Sequence, residues 1–163
     1  AFEPDPLIFN FLKENISKNK IKNVTLNEKA VWISNDILNF ASEGADGGNL
    51  EAGGNTKVEA VRLKDILHKH KEIDFLKMDI EGAETEVLID CKDSLGNVKN
   101  VFIEYHSFIE KNQNVSDILE ILNKSGFRYF VENAAPRMAP FINISKPGQS
   151  MDMQLNIFGY RTS

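Results

Sequence analysis

The sequence has 163 residues, 42% of them hydrophobic, and a formal net charge of −5 at pH 7. This size and composition predict a single folded domain spanning residues 1–163 with a substantial core. The negative charge argues against a nucleic-acid surface, and no apolar run approaches membrane-spanning length. Cys91 is the only cysteine, which leaves neither an internal disulfide nor a cysteine-based metal cluster. With no signal peptide visible, we expect a cytoplasmic protein.

The first residues predict a strand end followed at once by a helix. Residues 1–4 resemble the end of a strand, and Asp5 before Pro6 is typical of a helix start, with a capping carboxylate and a proline at the first helical position. Glu3 lies where nucleotide-binding α/β folds often bind ribose hydroxyls; the alternative is a carboxylate that serves only the turn. The predicted apolar stripe of the helix consists of Leu7, Ile8, Phe11, Leu12 and Ile16.

Between residues 22 and 71 the pattern predicts short strands and one short helix. The strands fall at 24–26, 30–33, 37–40 and 58–63, and the helix places Leu63, Ile66, Leu67 and His70 on one face. The glycine-rich segment 44–54 lacks the Gly-Lys-Ser/Thr ending of a phosphate-binding loop, so we expect a hairpin loop that lies over the site. His68 and His70 sit among lysines, a poor place for a cation, and are expected to be solvated.

Residues 73–88 predict a buried strand that ends in charged side chains and leads into a helix. Side chains alternate along a strand, so Lys77, Asp79 and Glu81 point the same way near its carboxyl end. Open α/β sheets bind ligands at this end of their strands, although a solvated strand end with a carboxylate near the helix dipole is the alternative. The strand's apolar residues are Ile73, Phe75, Leu76, Met78 and Ile80, and Gly82 begins a helix with Val87 and Leu88.

A second predicted strand ends in polar groups of the same kind. Residues 101–103 are apolar and are followed by Glu104 and His106, which are two positions apart. One helix-sized segment separates the two strands, so a right-handed crossover can make them parallel neighbours. Asp79, Glu104 and His106 then converge at one rim of the sheet, although a lone histidine can also be structural.

The last third of the chain predicts a helix, two strands and a long loop. The helix carries Val115, Ile118, Leu119 and Leu122 and ends at Gly126, which suits a left-handed cap. Strands at 127–131 and 151–160 are joined without a helix, which indicates an antiparallel edge on an otherwise parallel sheet. Residues 133–149 contain three of the prolines and are expected to form a binding lid.

The sequence resembles the FkbM-type methyltransferases over nearly its whole length. The resemblance lies in residues 1–6, 58–67, 76–84 and 103–106, and the run Lys-Met-Asp-Ile-Glu-Gly-Ala-Glu at 77–84 is its most specific part. It implies a Rossmann-like class I methyltransferase sheet, S-adenosylmethionine as cofactor, and methyl transfer to a hydroxyl of a sugar or natural-product-like small molecule. It also implies that Glu3 holds the cofactor ribose, that the segment around Glu28 to Ala30 lies near the adenine, and that Asp79 and its neighbours lie beside the transferring methyl group.

The glycine-rich first motif of that family should precede Ala1 and is absent from these residues. Its strand lies between the strands that end at Glu3 and Asp79. We therefore expect those strands to pair directly, another molecule to supply a strand, or a homodimer to form through open edges. We also expect a truncated chain that binds S-adenosylmethionine weakly or not at all. The alternatives are a non-catalytic Rossmann-like module that self-associates through exposed sheet edges and, more distantly, a dinucleotide-dependent oxidoreductase.

The chemistry of methyl transfer predicts a role for each polar residue at the rim. The reaction is an in-line displacement on an activated sulfonium, so the protein must orient the acceptor hydroxyl and remove its proton. His106 is the natural base at neutral pH. Asp79 and Glu104 orient this histidine or, with it, coordinate a divalent cation that acidifies the hydroxyl. We favour the metal-free alternative, because two carboxylates and one imidazole are few ligands.

Overall fold

The computed structural model describes residues 1–40, 56–135, 138–139, 141–142 and 150–162. The chain forms two compact units, Ala1–Asp65 and Ile66–Ser163. The described residues make an α/β protein with two mixed sheets and four α-helices. Among these helices, none has the length and apolar character needed to cross a membrane.

Helix α1, Pro6–Lys18, begins where the sequence predicts. The Asp5 Oδ1 atom accepts hydrogen bonds from the backbone N–H groups of Leu7 (2.8 Å) and Ile8 (3.3 Å), which otherwise lack partners at a helix start. The predicted stripe is partly wrong, because Leu7 and Phe11 are exposed and Phe9 is buried. The packed face follows positions 5, 9, 12 and 16, a helical spacing that leaves positions 7 and 11 outside it.

The first unit contains a small mixed sheet. Strands β1 (Ala30–Trp32), β2 (Ile37–Phe40) and β3 (Thr56–Arg62) lie in the order β1-β3-β2, with β1 parallel and β2 antiparallel to β3. The predicted strand at 24–26 is wrong. Thr25 and Asn27 form hydrogen bonds with the backbone of residues 1 and 3 instead. Phe2 and Asn27 therefore form an isolated β-bridge and not a strand. The predicted glycine-rich loop at 44–54 lies outside the described residues. The buried core of the sheet consists of Ala30, Phe40, Val58 and Ala60.

Helix α2, Leu63–Lys69, follows β3 and contains the boundary of the two units. Leu63 and Leu67 are buried as predicted, but His70 is exposed because it lies beyond the last helical residue. His68 is also exposed, and its Nε2 atom lies 2.8 Å from the Ser94 hydroxyl oxygen.

The second unit is built on a four-stranded sheet whose order confirms the predicted pairing. Strands β4 (Ile73–Met78) and β5 (Val98–Phe108) are parallel, and helix α3 (Glu84–Cys91) and a 3₁₀ turn (Lys92–Asn97) connect them. Helix α4 (Val115–Lys124) precedes β6 (Arg128–Asn133) and β7 (Met151–Tyr160). The order is β4-β5-β7-β6, and β7 runs antiparallel to both neighbours. The antiparallel pairing of the last two strands is therefore confirmed, whereas the expected mostly parallel sheet is not, because β4 and β5 form the one parallel pair in this described sheet.

Two details of the β4 region differ from the prediction. Strand β4 was expected to be buried, yet Phe75 is 59% exposed and only Met78 is fully buried. The reason is that β4 lies at an edge of the described sheet, with β5 as its one strand neighbour there. Helix α3 begins at Glu84 rather than Gly82, because Glu81 (φ +53°) and Gly82 (φ +91°) both adopt left-handed backbone and form a turn before the helix.

Helix α4 and Arg161, which follows β7, make further contacts within this unit. Helix α4 buries Ile118, Ile121 and Leu122, and the chain leaves it through Gly126 at φ +81°, as predicted. Arg161 donates hydrogen bonds to the carbonyl oxygens of Val98 (2.8 Å), Ser125 (2.6 Å) and Leu95 (2.9 Å). One guanidinium thus joins three segments. Most of the predicted lid at 133–149 lies outside the described residues.

Candidate active site

The polar residues at the carboxyl ends of β4 and β5 converge on one place. Met78, the last residue of β4, pairs with Ile103 in β5, so Asp79 follows β4 beside Glu104. The side-chain ligand atoms of Asp79, Glu104 and His106 all lie within 4.8 Å of one another. Parallel pairing and the two-residue period of a strand account for this arrangement. Asp79 is exposed, Glu104 is half-buried and His106 is buried.

His106 is the deepest member of this cluster, with 6% of its surface exposed. Its Nδ1 atom lies 3.2 Å from Glu84 Oε1. Its Nε2 atom lies 3.7 Å from Glu81 Oε2 and 4.0 Å from Glu104 Oε1. The two ring nitrogens therefore face different groups: one meets a fully buried carboxylate, and the other meets the carboxylates at the open rim.

The turn between β4 and α3 brings Glu81 and Glu84 to the histidine. Glu84 Oε1 accepts hydrogen bonds from the backbone N–H groups of Ile80 (3.2 Å) and Gly82 (3.0 Å). Gly82 is required on two grounds: its φ of +91° favours glycine, and a Cβ there would lie 2.5 Å from Phe108 Cε2. The end of β5 and this turn are consequently in close contact.

The electrostatics of the cluster shift two pKa values upward. Burial pulls the pKa of His106 down, but the hydrogen bond to Glu84 and the negative charges of Glu84, Glu81 and Asp79 outweigh it, and the net shift is upward. Burial raises the pKa of Glu81, an effect that the nearby His106 opposes and the carboxylates of Asp79, Glu84 and Glu104 reinforce. Both shifts favour a proton at the centre of the cluster.

Two further contacts hold the carboxylates at the rim. Lys77 Nζ lies 2.7 Å from Asp79 Oδ2, so this carboxylate is already paired with an ammonium group. Gln154, on β7, donates from Nε2 to Glu104 Oε1 at 2.5 Å and lies 3.5 Å from His106 Nε2. Asp79 and Glu104 thus each have a partner within the second unit.

Sequence reasoning missed Glu84 and Gln154, and it assigned no role to Glu81. Glu84 carried a usable signal, since it closes the Asp-Ile-Glu-Gly-Ala-Glu run, but a glutamate at a helix start is also expected from the helix dipole alone. Gln154 is separated from His106 by 48 positions, and no local pattern links the two. Only the antiparallel register of β5 and β7, which pairs His106 with Gln154, reveals it.

The other two predicted cofactor residues, Glu3 and Glu28, belong to the first unit. Glu3 Oε1 accepts a hydrogen bond from the backbone N–H of Asp5 at 2.8 Å, which fixes the direction of the carboxylate. Burial raises the pKa of Glu3, and the bond from Asp5 partly offsets the rise. Glu28 is exposed. The cofactor roles of both residues stay predictions.

Comparison with known proteins identifies the family. The sequence matches the model of the methyltransferase FkbM domain over residues 1–129 of the 163. The chain belongs to this family of methyltransferases. No curated protein and no solved structure matches the sequence.

Proposed function

We propose that the protein transfers a methyl group from S-adenosylmethionine to a hydroxyl oxygen of a sugar or natural-product-like small molecule, with His106 as the base. Membership of the FkbM family supports methyl transfer. The observation that carries the choice of an oxygen acceptor is the buried His106, whose Nε2 atom faces the rim where Glu81, Glu104 and Asp79 meet. A hydroxyl must lose a proton during methylation, and a positioned imidazole accepts that proton when the ring is neutral, at pH values above its raised pKa.

The reaction assigns tasks to His106, Glu81 and Glu104. The cofactor supplies a methyl group on a positively charged sulfur, which needs no further activation. His106 Nε2 would take the proton that the acceptor hydroxyl releases as its oxygen accepts the methyl group. Glu81 and Glu104, at 3.7 and 4.0 Å from that nitrogen, then stabilise the imidazolium.

Several features of the chain fit this cofactor. The carboxylate of Glu3 is held by the Asp5 N–H and can accept hydrogen bonds from ribose hydroxyls. An open depression of about 440 Å³ in the first unit is lined by residues 29, 35–37 and 59–61, and Lys29 belongs to the segment 28–30 that the resemblance places near the adenine. Asp79 is exposed at a strand end, where a Rossmann-like sheet binds its ligand. We therefore keep Glu3, Glu28 and Asp79 as the proposed cofactor contacts.

We propose a reaction without a metal ion. Asp79, Glu104 and His106 could together hold a divalent cation, since their ligand atoms lie within 4.8 Å of one another. The Lys77 ammonium, however, lies 2.7 Å from Asp79 Oδ2 and already neutralises that carboxylate. Added chelator should leave turnover unchanged.

Binding and transfer assays on the full-length protein test this proposal. Calorimetry should give a micromolar dissociation constant for S-adenosylmethionine, and a radiolabelled methyl group should appear on an oxygen of one member of a panel of sugars and natural-product alcohols. Glu3→Gln should weaken cofactor binding about tenfold, because a charged acceptor for the ribose is lost. Glu14→Gln, which removes an exposed carboxylate of α1, is the matched control. Absence of cofactor binding, or a label found on carbon or nitrogen alone, contradicts the proposal.

A second candidate is a module that self-associates through the edge of its sheet. The specific observation in its favour is that β4 lies at an edge of the described sheet and exposes Phe75. Light scattering separates the two candidates. A dimer that dissociates in Phe75→Lys, in a protein that binds no cofactor, would support this second function.

A further inference from the structure

The pair formed by Glu84 and His106 is almost fully buried. Glu84 is 1% exposed and His106 is 6% exposed, and Glu84 Oε1 lies 3.2 Å from His106 Nδ1. Buried polar atoms in folded proteins make hydrogen bonds, and a buried carboxylate oxygen offers only acceptor positions. Nδ1 must therefore be the donor in this pair, because an unprotonated Nδ1 would set two lone pairs against each other.

A proton on Nδ1 determines the state of the other ring nitrogen, Nε2. A neutral imidazole carries one proton, so a proton on Nδ1 leaves Nε2 with a free lone pair. The surroundings agree with this, because the Gln154 side-chain amide, a donor, lies 3.5 Å from Nε2. The charged groups nearest to Nε2 are carboxylates, Glu81 and Glu104, which stabilise a proton once it arrives. The nitrogen that faces the rim is thus the one able to accept a proton.

Glu84 is held by further contacts, and the two elements that carry the pair are joined to each other. Glu84 Oε1 is fixed from the other side by the backbone N–H groups of Ile80 and Gly82. The residue after Glu84 and the residue before His106 are joined through one asparagine: Thr85 Oγ1 and the Tyr105 hydroxyl both donate to Asn114 Oδ1, at 3.1 and 3.3 Å. The first turn of α3 and the end of β5 are thereby tied together.

We propose that Glu84 is a positioning residue that holds His106 in the tautomer protonated at Nδ1, so that Nε2 is the atom that accepts the proton of the acceptor hydroxyl. The catalytic part of this inference rests on the proposed function. The tautomer itself follows from the buried contacts and can be measured without turnover.

Nitrogen NMR of the full-length protein, labelled at histidine, tests the tautomer directly. The signals of His106 are identified by their loss in His106→Gln. At a pH where the ring is neutral, we expect Nδ1 to carry the proton and Nε2 to be unprotonated. A proton on Nε2 in the wild-type protein overturns the inference.

Two substitutions of Glu84 separate its hydrogen-bond acceptor from its charge. In Glu84→Gln the amide oxygen can still accept from Ile80, Gly82 and Nδ1, so the fold and the tautomer should persist while the Nδ1 proton signal moves as its bond weakens. In Glu84→Ala the acceptor is lost, and the proton should move to Nε2, towards Glu81 and Glu104. If Glu84→Ala does not fold, the Gln variant decides: an unmoved Nδ1 signal overturns the inference.

Turnover supplies the second readout. We expect Glu84→Gln to lower kcat about tenfold, the difference between a charged and a neutral acceptor, and Glu84→Ala to lower it about 100-fold or more. The matched control is Glu86→Ala, an exposed glutamate two positions further along α3, which should leave kcat unchanged. The expected tautomer together with normal turnover in His106→Ala would overturn the proposed base and leave the tautomer assignment standing.

Discussion

Replacing Gly82 with alanine perturbs the turn that positions Glu81 and Glu84, and it does so in two separable ways. The backbone at residue 82 has φ +91°, where a residue with a Cβ costs about 1–2 kcal/mol. The added Cβ would also lie 2.5 Å from Phe108 Cε2, an overlap that forces the ring or the turn to move. Overpacking of this kind costs about 1–3 kcal/mol, so Gly82→Ala should lower the free energy of unfolding by about 2–5 kcal/mol in total.

Three other glycines of the same unit act as matched controls. Gly126 has φ +81°, and its added Cβ would lie 3.1 Å from Arg161 Nη1, so Gly126→Ala reports the backbone cost together with any strain on the Arg161–Ser125 hydrogen bond. Gly159→Ala isolates the overlap, since its Cβ would lie 2.6 Å from Val101 Cγ1 and its φ is not in the left-handed region. Gly96 has nothing within 4 Å and no left-handed φ, so Gly96→Ala should change stability by less than about 1 kcal/mol.

The assay is urea unfolding followed by far-ultraviolet circular dichroism, with all four variants under one set of conditions. The cost at Gly82 should be close to the costs at Gly126 and Gly159 taken together. Phe108→Leu removes the overlapping ring atom, so it should recover about 1–3 kcal/mol of coupling energy in the Gly82→Ala background. A Gly82→Ala variant as stable as Gly96→Ala would refute the reasoning.

The remaining predictions concern the helix cap, the arginine that joins three segments, and pH. Asp5→Ala removes the acceptor for two N–H groups of α1 and should cost about 0.5–2 kcal/mol in urea unfolding, whereas Asp5→Asn should cost less. Arg161→Ala leaves three carbonyl oxygens without this donor and should cost about 2–4 kcal/mol, measured in the same way; a loss below about 0.5 kcal/mol would show that water replaces it. The raised pKa of His106 in the folded state means that its contribution to stability is fully present below the ordinary pKa of 6.5 and is lost as pH rises through the folded-state value. His106→Gln should therefore destabilise the protein more in mildly acidic than in alkaline buffer, and a cost that grows with pH would contradict this sign.

The sequence was sufficient for the convergence at the rim. Side-chain direction along a strand repeats every two residues, and the carboxyl ends of parallel neighbours lie at the same edge of the sheet. The sequence therefore predicts that Asp79, Glu104 and His106 lie close together. The start of α1 was equally readable, because a capping aspartate before proline has a local cause. In both cases the signal lies within one element or within one strand–helix–strand unit.

The features that the sequence did not reveal depend on contacts between distant segments. The exposure of Phe75 follows from the position of β4 at the sheet edge, which apolar periodicity does not encode. The contact of Gln154 with Glu104 and His106 depends on the register of β5 and β7. The Glu84–His106 pair required the helix to begin after two left-handed residues, and Glu81 is not a residue type that favours that conformation.

The central claim is that His106 removes the proton of the acceptor hydroxyl, and the most direct test is the turnover number of His106→Ala in the full-length protein at saturating S-adenosylmethionine. The control is His70→Ala, the same substitution at an exposed histidine of the same unit. We predict a loss of about 10²–10⁴ in kcat for His106→Ala and a change of less than about twofold for His70→Ala. A His106→Ala enzyme that turns over as fast as His70→Ala would contradict the account.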